Sequence, residues 1–220
     1  MTKTVAITGA TGTLGKACWK RFDGSWAVKA GSSTWDVSNE LALKRWMGNI
    51  SFDALVTCAG VSLVKPSLDL TADEWRHVID VNLTGTFLSV REAVKRGATR
   101  IVTIGSIHGS TPTSYPQRAA YTASKAGVVG LTQALAVELA SQGVAVNCVA
   151  PGHLPVLMDG TGAGAELLEA ARAKTPTGKL VTPQEVAEVI YWLCNDAPLG
   201  LTGQVLTIDG GFTMATFPLQ

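Results

Sequence analysis

The sequence predicts an α/β protein: a single doubly wound domain over residues 1–220, with a seven-stranded parallel sheet flanked by helices. Three observations predict it. Short β-branched runs alternate with helical stretches along the chain, the pattern of repeated strand–helix units. The first such run leads at once into a glycine-rich turn and then a helix. Two later helices open on capping boxes, Thr71-Ala72-Asp73-Glu74 and Thr182-Pro183-Gln184-Glu185, which mark where helical segments begin.

The first strand is Thr4–Thr8, followed by Gly9-Ala10-Thr11-Gly12-Thr13-Leu14-Gly15 and a helical stretch from Lys16 to Phe22. Glycine permits the tight turn and lets backbone N–H groups approach a pyrophosphate at a helix N-terminus. The turn is therefore a candidate dinucleotide site, against the simpler reading of a structural turn. Trp26–Ala30 reads as the second strand and Thr34–Val37 as the third, joined by Gly31-Ser32-Ser33. That link is too short for a crossover helix. In nicotinamide-binding folds an acidic residue after the second strand holds the ribose 2′-hydroxyl, and its absence leaves room for a 2′-phosphate. Here Ser32 and Ser33 occupy the position with Lys29 nearby, which favours NADP(H), with NAD(H) as the alternative.

Ser38 is placed to cap a helix through Met47, and Phe52–Cys58 forms the fourth strand before Ala59-Gly60. The helix from Thr71 to about Arg96 carries Asn82, whose side chain competes for backbone hydrogen bonds and so marks a kink or a polar site. Arg100–Gly105 is a buried-type strand that delivers Ser106 to its carboxyl end, where doubly wound sheets bind ligands. A Pro-, Ser- and Thr-rich loop, 109–117, leads to the helix that carries Tyr121-Thr122-Ala123-Ser124-Lys125 and runs to about Gln142. Val144–Ala150 is the sixth strand, ending in Pro151-Gly152. Regularity then weakens over 153–178, where Gly160, Gly162 and Gly164 precede a helical piece, Ala165–Ala173; this stretch is read as a substrate lid. A helix to about Asn195 and a seventh strand, Gly203–Asp209, complete the chain before Gly210-Gly211.

Tyr121 and Lys125 carry the chemistry. Residues i and i+4 sit on one face of a helix, so a phenol and an ammonium converge there. A cation fixed beside a phenol favours the ionised form, which is how a tyrosine becomes a general acid or base.

Composition excludes several alternatives. Apolar residues make up 46% and charged residues 16% of the 220, with a net charge of +1, so a large core is expected and nucleic acid is not an expected partner. The four cysteines (Cys18, Cys58, Cys148 and Cys194) show no metal-ligand spacing, and no metal site is expected. The chain enters strand pattern at once and has no apolar run of the ~20 residues a membrane helix needs, so a cytoplasmic protein is expected.

In order, these pieces resemble the short-chain dehydrogenase/reductase family over essentially Thr2 to Thr213, with a general likeness to 3-oxoacyl-thioester and carbonyl reductases. The marks are Thr8-Gly9…Gly15, Asp36-Val37, Ala59-Gly60, Asn82, Ser106, Tyr121…Lys125, Pro151-Gly152 and Asp209-Gly210-Gly211. The resemblance implies a Rossmann fold and hydride transfer between a nicotinamide and a carbonyl. It implies a catalytic tetrad of Asn82, Ser106, Tyr121 and Lys125, with Tyr121 and Lys125 also against the cofactor. Gly9, Thr11, Gly12 and Leu14 would line the pyrophosphate, with Thr13 in the same turn; Asp36 and Val37 would meet the adenine, Ala59 and Gly60 the adenosine ribose. Pro151, Gly152 and Leu154 would hold the nicotinamide.

The chain departs from the usual pattern at Thr13, which gives a TGxxGxxG turn, and at Thr57-Cys58-Ala59-Gly60, which lacks an Asn pair. No Thr follows Pro151-Gly152 at the usual place, and no helix stands between the second and third strands. Ile107, His108, Tyr115, Val156, Leu157 and Met158 are candidate pocket residues and suggest a mostly apolar carbonyl substrate. His108 is read as facing solvent, with contact to a polar group of the substrate as the alternative, and Arg118 as a surface charge, with attraction of an anionic substrate as the alternative. A homo-oligomer, tetramer or dimer, is implied by the family. Two other readings stand beside this one: a nucleotide-sugar-modifying relative, suggested by the turn spacing, and a non-catalytic dinucleotide-binding sensor or scaffold.

Overall fold

The structure, a computed structural model, describes residues 2–32, 35–113, 115–155 and 164–215. Ser33, Thr34, Val156, Leu157, Met158, Gly160 and Gly162, named above as site, strand, pocket or lid residues, lie outside the described residues.

Six parallel strands form one sheet: β1 (Thr4–Thr8), β2 (Ala27–Ala30), β3 (Ala54–Thr57), β4 (Arg100–Ile104), β5 (Ala145–Pro151) and β6 (Val205–Ile208), in the order β2-β1-β3-β4-β5-β6. The helices are α1 (Thr13–Phe22), α2 (Glu40–Met47), α3 (Ala72–Ile79), α4 (Gly85–Val94), a short turn α5 (Ile107–Ser110), α6 (Ala119–Leu139), α7 (Gly164–Lys174) and α8 (Pro183–Asn195). From β1 the chain moves outward to β2, then returns past β1 to β3. That reversal opens a crevice at the carboxyl ends of β1 and β3, the place where such sheets take ligands.

Both faces of the sheet are covered, so its strands read as continuous apolar runs rather than alternating ones. Val5, Ile7, Val56 and Val102 point to one face, where α1 and α8 bury Phe22, Val186 and Ile190 against them. Ala6, Leu55, Ile101 and Val146 point to the other, beneath Leu43, Trp46 and Met47 of α2 and the helices α4 and α6. Both capping boxes form as the sequence predicts, at Thr71/Glu74 and Thr182/Glu185.

Three expectations are corrected. The described residues contain six strands, not seven, because the expected third strand does not form: Trp35, Asp36 and Val37 lie in a turn. β2 is the edge of the sheet, and a parallel neighbour beyond it needs a crossover of a dozen or more residues. The chain folds back instead, with Trp35 N–H on the Ser32 carbonyl at 3.2 Å and Asn39 N–H on that of Asp36 at 3.1 Å. For the same reason the cap of α2 is Asn39, whose side chain accepts the Ala42 N–H at 3.0 Å; Ser38 binds the Asp36 carboxylate. The helix expected from Thr71 to Arg96 is two α-helices joined by one π-helical turn, Asp80–Thr84, centred on Asn82.

Among the described residues no helix is long and apolar enough to cross a membrane, and no cluster of His, Cys, Asp and Glu could hold a metal ion.

Candidate active site

A cavity of about 370 Å³ opens at the carboxyl ends of β1, β3, β4 and β5. Gly12, Thr13, Leu14 and Gly15 form one end of its wall, where α1 begins. The turn that brings them there requires glycine at two positions. Gly9 has φ +63°, and a Cβ on it would lie 2.6 Å from Ala59 Cα; a Cβ on Gly15 would lie 2.1 Å from the Gly9 carbonyl oxygen. The turn and the end of β3 thus pack backbone to backbone, with Ala59 N–H donating to Thr8 Oγ1 at 3.3 Å. Gly12 caps α1 without a side chain, so the first N–H groups of the helix face the cleft. A helix N-terminus of this kind, in a wall with no Asp or Glu among the described residues, fits the pyrophosphate of a dinucleotide. Thr11 is exposed within the same turn.

A second, smaller hollow lies beside it, lined by Gly9, Ser32, Asp36, Val37, Trp35 and Trp46 among others. The residues expected around the adenine are therefore brought together. Gly60 and Cys58 line the main cleft; Ala59, between them, packs under the glycine turn.

Ser106, Tyr121 and Lys125 are buried and line the same cleft. Ser106 follows β4 and caps α5, its hydroxyl accepting the His108 N–H at 3.2 Å. Lys125 lies one turn along α6 from Tyr121; its Nζ is 5.8 Å from the Tyr121 ring centre and donates to the Ile104 carbonyl at 2.8 Å. Asn82 is fully buried in the π turn. Its amide is used in structure: Oδ1 accepts the Val61 N–H at 2.8 Å, and Nδ2 donates to the Val61 carbonyl and to Ser124 Oγ, both at 2.9 Å. A Cβ on Gly60 would lie 3.2 Å from Asn82 Oδ1 and 3.7 Å from Lys125 Nζ, so that glycine lets these two groups approach one another. Pro151, Gly152 and Leu154 complete the wall from β5, with Gly152 N–H held on the Ile208 carbonyl at 2.8 Å.

The outer part of the cleft corrects the sequence reading. His108 does not face solvent: it is buried, lines the cleft, and places Nδ1 3.3 Å from the Thr113 carbonyl oxygen. Burial lowers its pKa, with Arg118 adding to the effect against the Thr113 bond. Arg118 is not a bare surface charge but lines the cleft and donates to Ser62 Oγ at 2.8 Å. Ile107 lies in the interior and not on the cleft wall. Tyr115 is on the wall, as expected, and burial raises its pKa.

Sequence reasoning placed His153, Leu167 and Leu168 only within the expected lid, without naming them as wall residues, and passed over Phe212, which packs on His153. His153 lines the cleft with its ring centre 5.5 Å from Tyr115, 6.0 Å from His108 and 4.8 Å from Phe212. Burial, then His108 and Arg118, push its pKa down to about 4, against a small opposing pull from Asp209. Its position directly after Pro151-Gly152, at the end of a strand that feeds the cleft, was the available signal.

Known proteins resemble this chain over nearly its whole length. A family model described as enoyl-(acyl carrier protein) reductase matches residues 3–213. The 3-oxoacyl-[acyl-carrier-protein] reductase of Aquifex aeolicus is 34% identical over 217 residues, covering 94% of this chain and 86% of that protein. Among solved structures, a short-chain dehydrogenase from Leptospira borgpetersenii with bound NAD+ superposes with a TM-score of 0.86 at 28% identity, covering 97% of this chain and 93% of that one. A variant of ElxO with NADPH bound gives 0.85 at 28% identity, covering 96% and 99%. The chain belongs to the short-chain dehydrogenase/reductase family. It is an NAD(P)-dependent oxidoreductase acting on carbonyl and alcohol groups, built on a Rossmann-type sheet.

Proposed function

We propose that the chain interconverts a small ketone and its secondary alcohol, with Tyr121 as the general acid and base and NADP(H) as the preferred cofactor. The observation that carries the reading is the meeting of Ser106, Tyr121 and Lys125 on one wall of the cleft whose far end is the α1 N-terminus. Ser106 orients the substrate oxygen by hydrogen bonding. Tyr121 gives that oxygen its proton during reduction and takes it back during oxidation, a contribution of about 10²–10⁴-fold. Lys125, with one donor on Ile104, has its other N–H groups for the cofactor ribose. Asn82 acts through the π turn, holding Val61 and Ser124 beneath that lysine. When bound, the nicotinamide supplies or receives the hydride. Gly9, Thr11, Gly12, Thr13 and Leu14 are assigned to the pyrophosphate, Asp36 and Val37 to the adenine, Ala59 and Gly60 to its ribose, and Pro151, Gly152 and Leu154 to the nicotinamide.

The preference for NADP(H) rests on the absence of an acid after β2, where Gly31 and Ser32 stand near Lys29. The stretch 153–178 is proposed as the substrate lid, since Leu167 and Leu168 of α7 already reach the cleft. A homo-oligomer is proposed from the apolar residues left exposed on the outer helices, Trp75 and Phe87 on α3 and α4 and Val137 on α6. Light scattering of the purified protein reads its mass.

The deciding experiment is a fluorescence titration with NADPH and with NADH, followed by ketone turnover in the wild type and Tyr121→Phe. Tighter NADPH binding and turnover that falls at least ~100-fold in the variant are expected. Unchanged turnover in Tyr121→Phe removes the proposed acid; binding of neither nucleotide removes the whole reading.

A further inference from the structure

Among the described residues of the cleft wall, His153 is a buried polar group that the fold leaves unanswered. Both ring nitrogens of His153 are buried and have no hydrogen-bond partner among the described residues. Nearby polar groups are otherwise engaged: His108 Nδ1 faces the Thr113 carbonyl and Arg118 holds Ser62. A buried donor or acceptor left unpaired is costly, so a ligand that pairs one recovers part of that cost.

The ring is also held in place. Gly152 ties the preceding backbone to Ile208, and a Cβ there would lie 2.7 Å from Asp209 Cβ. Phe212 packs edge-on at 4.8 Å and His108 edge-on at 6.0 Å. His108, which packs on His153, in turn stands 6.4 Å from the Tyr121 ring, so the three rings follow one another along the cleft wall.

We propose that His153 binds a second, uncharged oxygen of the substrate, making hydroxy ketones and their diols the substrate class. This rests on the oxidoreductase reading above and specifies it. A neutral imidazole offers one N–H donor and one acceptor, and a hydroxyl group answers either. A plain hydrocarbon ketone answers neither and leaves both nitrogens stranded. A site built to hydrogen-bond a substrate hydroxyl discriminates strongly against the analogue that lacks it. His153 is thus a specificity residue, distinct from the acid at Tyr121.

The test compares 3-hydroxy-2-butanone and 4-hydroxy-2-butanone with 2-butanone, using wild type, His153→Phe and His153→Gln. In the wild type at least one hydroxy ketone is expected to exceed 2-butanone by ~10-fold or more in kcat/KM. His153→Phe should bring that ratio close to one, mainly through KM, and His153→Gln, which keeps a donor and an acceptor, should restore part of it. Equal values for all three ketones in the wild type, or a preference that survives His153→Phe, overturns the proposal. A 2-oxo acid preferred to both hydroxy ketones also overturns it, in favour of an anion site. A second readout is independent of turnover: the ¹⁵N resonances of the His153 ring, in cofactor-bound protein, should shift with 3-hydroxy-2-butanone and not with 2-butanone. If that selective shift appears without turnover of any ketone, the oxidoreductase reading fails while the oxygen site stands. If ketones are turned over and the shift is absent, the oxygen site alone fails.

Discussion

Lys125 Nζ donates to the carbonyl oxygen of Ile104 at 2.8 Å. Ile104 ends β4, and Ser106 follows two residues later, so the lysine on α6 is tied to the strand that presents the serine. A hydrogen bond thus joins the two halves of the site, one on a helix and one on a strand end. Thr103 and Thr132 make a second tie further along the same strand–helix contact, with their hydroxyls 2.7 Å apart.

Lys125→Met removes the cation from the cleft and strands the Ile104 carbonyl. Turnover is expected to fall by about 10²–10⁴-fold, with weaker binding of the nicotinamide nucleotide. Steady-state kinetics and a fluorescence titration check both. Turnover within about threefold of wild type would show that the lysine serves packing only.

Asn82→Ala is a stability variant before it is a kinetic one. It leaves the Val61 N–H and carbonyl without their partner at the π turn and removes the donor to Ser124 Oγ, which keeps its own bond to the Tyr121 carbonyl. The expected loss is about 2–4 kcal/mol, which for a chain of this size lowers Tm by roughly 4–16 °C. A circular dichroism melt measures it, and a shift under about 2 °C contradicts the assignment.

The glycines separate into required and dispensable positions. Gly9→Ala meets both a left-handed backbone and the Ala59 main chain at 2.6 Å, and is expected to weaken nucleotide binding at least ~10-fold and to destabilise the fold. Gly130 lies inside α6 with nothing within 4 Å of a Cβ. Gly130→Ala should instead stabilise by about 0.5–1 kcal/mol. Urea melts of the two variants should move in opposite directions.

His153 makes stability depend on pH. Its native pKa is held down to about 4 by burial and by His108 and Arg118, against an unfolded value near 6.5. Between those values the unfolded chain binds a proton that the native one does not, so stability is complete above pH ~6.5 and falls as pH drops toward ~4. His108, also lowered by burial, acts with the same sign. The ring is partly open to the cleft, so solvent screening limits the loss to about 1–2 kcal/mol. The slope between pH 7 and 5 should be shallower in His153→Phe; an identical slope contradicts the prediction.

Most of the architecture was legible because it rests on local signals. Both capping boxes, the glycine turn and the apolar strand runs each carry their own short-range reason to form. Asn82 was legible as a misfit, and the π turn explains it: the helix opens where the amide leaves its own helix to hold Val61 and Ser124. The third strand failed because Thr34–Val37 has strand-like composition, while edge position and link length are properties of the sheet. Asn39 outcompeted Ser38 as a cap for the same reason: the fold-back of the turn decides which side chain faces the helix. His108 was legible as a pocket residue but not as a buried one, and Arg118 and His153 were not read as part of the wall. A loop histidine in sequence carries no sign of burial, and only the packing of α5, α6 and the segment after β5 puts these groups around one space.

The second hollow gives the protein an optical property of its own. The chain has six tryptophans, none of which lines the main cleft, whereas Trp35 and Trp46 line the small hollow beside Asp36. Trp46 is buried with its indole N–H on the Ala30 carbonyl at 3.2 Å, and its ring edge packs on Gly31. With the adenine assigned to Asp36 and Val37, as proposed above, intrinsic emission should report by contact on that end of the dinucleotide and not on the nicotinamide end. Adenosine 2′,5′-bisphosphate should quench it and nicotinamide mononucleotide should not, so native fluorescence can follow the two halves of the cofactor separately, without a label.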